Sequence, residues 1–205
     1  MLKYIVPFIA YILAIPLSNI IFKNLYISYI IKVLLTGILL IFYFKKYKEI
    51  KKFKLSILGI ITGIIIFLIW ISIEAFYKRI PTSIYNPYDL GNNFFIPLVL
   101  IKLAGMVLIA PLIEELFTRS FLIRILINTE YEKVKIGKFT WLSFIITVLF
   151  FGFSHSMWLP GIITGIILNL LLYKTKDLSA CIQSHAVANI VLAIYVLITQ
   201  NFMYW

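Results

Sequence analysis

Residues 94–128 read FFIPLVLIKLAGMVLIAPLIEELFTRSFLIRILIN, and this stretch decides the class of fold. As one straight helix its length would be about 50 Å, at about 1.5 Å per residue. That exceeds the roughly 30 Å hydrocarbon core of a bilayer. Pro111 sits near its middle, so a kink or break is expected there. The composition around it points the same way. Hydrophobic residues make up 62% of the 205 residues and charged residues 13%, with mean hydropathy +1.03. Soluble chains are nearer half apolar and a quarter charged, so a soluble domain is excluded.

Further apolar stretches lie at about residues 4–22, 25–44, 55–77, 139–154, 159–173 and 178–199. With the central one they predict an all-α, polytopic membrane helix bundle of about seven (six to eight) transmembrane helices. The first stretch runs too long for a signal peptide and lacks a small-residue cleavage site, so it reads as a retained span. Pro7 and Pro16 within it are tolerable where neighbours satisfy the freed carbonyls. Residues 45–54 carry six lysines. Such a loop stays cytoplasmic, which places the N-terminus in the cytoplasm two spans earlier. Residues 78–93 then form an external loop, broken by Pro81, Pro87 and Gly91. If residues 94–128 cross once, the lysine-bearing segments 129–138 and 174–177 both return to the cytoplasmic side. If they cross twice, both lie outside; the charge rule favours one bent crossing. The whole chain reads as a single transmembrane domain.

The net charge is +11. Lysines in loops facing anionic lipid account for it, and no stretch interleaves basic and aromatic residues on a soluble face. Membrane lipid is therefore an expected partner and nucleic acid is not. Cys181 is the only cysteine, so no internal disulfide is possible. Four residues from His185, it also raises a Cys–His nucleophile of the sortase-like kind.

Charges inside apolar stretches are expensive and each needs a reason. Lys32, Glu74 and Lys102 are isolated and read as interface anchors or structural groups. Glu114 and Glu115 differ. Successive helical residues turn by about 100°, so the two carboxylates point in different directions. Glu115 and Arg119 are at i,i+4, the spacing of an intrahelical ion pair. That pairing leaves Glu114 for chemistry. His155 ends the stretch after Phe151 and Gly152. His185 and Asn189 share one helix face, separated by small residues that let another helix approach. One acid, two histidines and an amide on three helices form an inventory for activating water. A carboxylate beside histidine serves as general base, and a His or Asn donor stabilises an oxyanion. Glu114, His155 and His185 also match a catalytic zinc ligand count, making zinc a candidate cofactor. No His-Glu-x-x-His helix accompanies them.

Glu114-Glu115-x-x-x-Arg119, Phe151-x-x-x-His155 and His185-x-x-x-Asn189 resemble the three motifs of the CAAX protease and bacteriocin-processing (CPBP) family of intramembrane endopeptidases. The resemblance implies that Glu114 and His155 activate water, that His185 and Asn189 hold the oxyanion, and that Glu115 and Arg119 support them. It implies a catalytic core over residues 94–199 and variable spans over residues 1–93. Residues 93–98, residues 173–178 and the terminal Trp205 further resemble bacterial CAAX protease-related proteins found with exosortase sorting systems. Those would process membrane-anchored proteins or peptides at a C-terminal tail, in a prokaryotic plasma membrane. Two alternatives use the same residues: a transporter with carboxylate proton sites, and a non-catalytic immunity or binding protein that keeps the fold.

Overall fold

The computed structural model describes residues 1–51, 53–74 (for Glu74 the backbone alone) and 84–205. The Glu74 side chain and the Pro81 end of the expected external loop lie outside the described residues. Seven helices follow among the described ones: α1 (Leu2–Phe22), α2 (Leu25–Tyr43), α3 (Ile57–Glu74), α4 (Asn92–Ile127), α5 (Trp141–Phe153), α6 (Trp158–Thr175) and α7 (Leu178–Thr199). No strand occurs among them. Helices α1, α2, α4, α6 and α7 are long and apolar enough to cross a membrane, and α3 and α5 are shorter apolar helices. The chain is an integral, multi-pass membrane helix bundle.

One face of the bundle gathers the polar loops. The Met1 amino group donates to the Tyr131 hydroxyl at 3.0 Å. Lys3 Nζ donates to the Lys46 carbonyl at 2.9 Å. Lys176 Nζ donates to the Gly137 carbonyl at 2.5 Å. The N-terminus, residues 45–54, residues 129–138 and the turn before α7 therefore lie together. This is the arrangement that the single-crossing reading requires.

Helix α4 neither ends nor breaks at Pro111. It continues through Pro111 because the helix changes hydrogen-bond register, with wider π turns at Ala104–Ile109 and Leu116–Leu122. In the first, the Ala110 N–H bonds to the Gly105 carbonyl, five residues back. Pro111 has no N–H to continue that register, and the Met106 carbonyl, five residues back from it, is left without a backbone donor. Asn189 Nδ2 on α7 supplies one at 2.6 Å. The same device recurs on α1. Pro7 frees the Lys3 carbonyl, and the Tyr47 hydroxyl donates to it at 2.5 Å.

Helix α5 has 13 residues, a length of about 20 Å. It is too short to span the hydrocarbon core. The turn after it, residues 154–157, therefore lies at membrane depth rather than at a surface. Gly152 and Gly161 make this compact reversal: a Cβ on Gly161 would lie 3.0 Å from the Gly152 carbonyl oxygen and 3.1 Å from its Cα.

Candidate active site

Glu114, Glu115 and Arg119 project from the middle of α4, between its two π turns and into the second. Glu115 and Arg119 are fully buried. Their ion pair has Arg119 Nε 3.3 Å from Glu115 Oε2, and Arg119 Nη1 donates to Oε1 at 3.3 Å. The guanidinium also lies over the Phe151 ring, 4.1 Å from its centroid. Glu115 has a second partner that sequence reasoning did not assign. His185 Nδ1 lies 2.9 Å from its Oε1. A carboxylate accepts, so Nδ1 carries the proton and Nε2 is left toward the cavity.

His155 occupies the turn after α5. Its Nδ1 is 2.7 Å from the Phe151 carbonyl, an acceptor that places the proton on Nδ1. Its Nε2 lies 3.8 Å from Glu114 Oε2. Phe151 thus serves both neighbours: its ring covers Arg119, and its carbonyl orients His155. That gives the Phe-x-x-x-His spacing a physical meaning. Glu114 Oε2 is buried and has no hydrogen-bond partner among the described residues.

Glu114, His155, His185 and Asn189 all line one cavity of about 550 Å³. Its wall also includes Tyr11, Lys32, Trp70 and Lys102, which sequence reasoning did not place there. Lys32 and Lys102 were expected to anchor at the interface. Instead Lys32 Nζ lies 3.5 Å from the centroid of the Tyr11 ring, and Lys102 is 9% exposed. The signal for both was present: a charge inside an apolar stretch carries the same cost that singled out Glu114. Length and flexibility made snorkelling an equally good account, and only the packing decides.

Two other expectations change. Cys181 is fully buried, with its thiol donating to the Leu168 carbonyl at 3.4 Å. It does not line the cavity, which sets the sortase-like nucleophile aside. Among the described residues no three His, Cys, Asp or Glu side chains converge to hold a metal ion. Glu114, His155 and His185 as placed do not fit a zinc ligand set.

A polytopic helix bundle holding carboxylates, histidines and an amide around one cavity at membrane depth defines an intramembrane site open to a small polar reactant. Residues 96–191 match the family model for type II CAAX prenyl endopeptidase, Rce1-like. That segment carries all three motifs and belongs to the CAAX-protease family of membrane endopeptidases. No curated protein and no solved structure matches the chain.

Proposed function

We propose that the protein hydrolyses a peptide bond near the C-terminus of a membrane-anchored or lipidated protein, with water activated by Glu114 and His155. The observation that carries this reading is the pairing of Glu114 Oε2 with His155 Nε2 across 3.8 Å, with that oxygen buried and unpartnered. The gap is too long for a good direct hydrogen bond. A water seated against both atoms would give its proton to one of them as it attacks the scissile carbonyl. Positioned acid–base groups of this kind contribute about 10²–10⁴-fold.

The oxyanion that forms needs donors. Asn189 has two N–H groups on Nδ2, and Met106 takes one; the other is available. His185 donates through Nε2 in its imidazolium form, which the buried Glu115 carboxylate at 2.9 Å favours. Arg119 fixes that carboxylate. Residues 94–199 would then be the catalytic core, and residues 1–93 a surround that shapes the cavity.

The test is cleavage of a lipid-anchored reporter peptide by the protein in proteoliposomes. Glu114→Gln and His155→Ala are expected to lose at least about 10²-fold in rate. Cys181→Ser is expected to cleave as wild type does, and thorough chelation to leave the rate unchanged. Undiminished cleavage by Glu114→Gln would overturn the mechanism.

A further inference from the structure

The formal charges facing the cavity do not balance. Among the described residues, Glu114, Lys32 and Lys102 are the only Asp, Glu, Lys or Arg side chains that line it. Glu115 and Arg119 are behind the wall and compensate each other. With Glu114 ionised, one cation remains in excess. When Glu114 takes a proton from the attacking water, two do. Neither lysine forms an ion pair among the described residues. Lys102 instead lies over the rings of Tyr29 and Tyr85, at 4.6 and 5.0 Å from their centroids. Aromatic faces stabilise an ammonium but leave its charge uncancelled. A buried charge without a counter-charge is costly, so the arrangement calls for an anion that comes with the ligand.

We infer that Lys32 and Lys102 form a carboxylate-binding subsite that holds the free C-terminal carboxylate of the peptide being cut. The inference rests on the protease reading for the identity of the ligand, though not for the existence of the subsite.

Position supports that occupant. Lys102 and Glu114 are twelve residues apart on α4, about 18 Å along its axis. Lys32, from α2, lies near enough to both to act on each electrostatically. An extended peptide advances about 3.3–3.6 Å per residue. A chain end seated at Lys102 would set its bond about five residues away against Glu114, and one seated nearer Lys32 about three. The lysines would then measure the distance from the chain end to the cut. They would be specificity residues, touching the ligand's end and not the reacting atoms.

Binding separates this idea from the question of cleavage. The probe is a fluorescent N-dodecanoyl hexapeptide of apolar residues, offered to the protein in nanodiscs. It is made with a free C-terminal carboxylate, as the C-terminal amide, and as an amide whose last residue is Asp. Wild type and Glu114→Gln are both measured. The free acid is expected to bind about tenfold or more tightly than the amide. Lys102→Met and Lys32→Met, checked for unchanged melting temperature, should shrink that preference, and Lys102→Arg should retain it. If Asp-amide matches the free acid, the subsite stands and reads any carboxylate. Equal binding of acid and amide, or no binding of either, would overturn the subsite. An acid preference without cleavage by wild type would keep the subsite and sink the peptidase. Where cleavage occurs, mass spectrometry should find a released fragment of about three to five residues.

Discussion

Glu115 is the residue on which most of the site converges, although it does not line the cavity. Its two oxygens take Arg119 from the same helix and His185 from α7. Removing its charge strands a fully buried guanidinium, and breaking such a pair costs about 3–5 kcal/mol. Glu115→Gln should therefore lower stability by about that amount, read as a drop in thermal midpoint. It should also cut cleavage, because neither the tautomer nor the orientation of His185 is held. Arg119→Lys tests the other arm. A lysine keeps the charge but not the planar face against Phe151, so a partial loss of both stability and rate is expected. The Glu115–Arg119 pair was legible from spacing alone, since i,i+4 is a local relation. Its bond to His185 was not, because seventy residues of chain intervene and no periodicity encodes which helix face meets which. Lys32 and Lys102 were visible as expensive charges, but whether a lysine reaches lipid or cavity depends on what packs beside it.

At the scale of the helix, the site depends on how α4 absorbs Pro111. The hydropathy pattern showed a long apolar run with a proline and predicted a kink or break. It could not show the π register, because hydrogen-bond register leaves no trace in which residues are apolar. The register makes Asn189 do two things: it closes the gap at Met106 and presents its remaining N–H to the cavity. Asn189→Ala should thus destabilise the bundle by about 1–3 kcal/mol, the cost of leaving a buried polar group unmade. Pro111→Ala restores an N–H that can take the Met106 carbonyl. In that background Asn189→Ala should cost measurably less stability, while the loss of cleavage rate should persist. A double-mutant cycle in thermal or denaturant unfolding reads the difference as a coupling energy. Additive stabilities would mean that Asn189 does not serve the carbonyl freed by Pro111. The short α5 teaches a related lesson. Its apolar content was legible, but that it stops at membrane depth follows from the close Gly152–Gly161 reversal, a contact between helices.

At the scale of the whole molecule, a buried ionic cluster ties the variable N-terminal spans to the core. Glu49 lies in the lysine-rich loop after α2, where sequence gave it the look of a solvated charge. In the fold its side chain is 7% exposed and pairs with Arg124 on α4 at 2.9 Å. Ser120 donates to it at 2.5 Å, and Tyr4 of α1 donates as well. Three segments distant in sequence are thus clamped at the polar face, one turn beyond Arg119. Burial pushes the Glu49 carboxyl up, but the hydrogen bonds from Ser120 and Tyr4, with a backbone contribution and the Arg124 charge, outweigh it and hold it below the usual carboxylate range. A depressed acid stabilises the fold when it is ionised. Its contribution is complete above the unfolded-state value, near about 4.3 for Glu, and is lost as pH falls through the lower folded-state value. Wild type should therefore lose thermal stability progressively as the pH drops below about 4. Glu49→Gln should be less stable than wild type at neutral pH, by about 3 kcal/mol for a broken buried pair. It should also lose less stability across that acid window, because it has no such proton to bind. Scanning calorimetry or tryptophan fluorescence of both proteins in nanodiscs, at several pH values, measures the two slopes. Parallel slopes would place the acid sensitivity in another carboxylate. Because α1 and α2 bring Tyr11 and Lys32 to the cavity, loosening this clamp should also weaken the discrimination between free and amidated peptide ends before it slows the chemistry at Glu114.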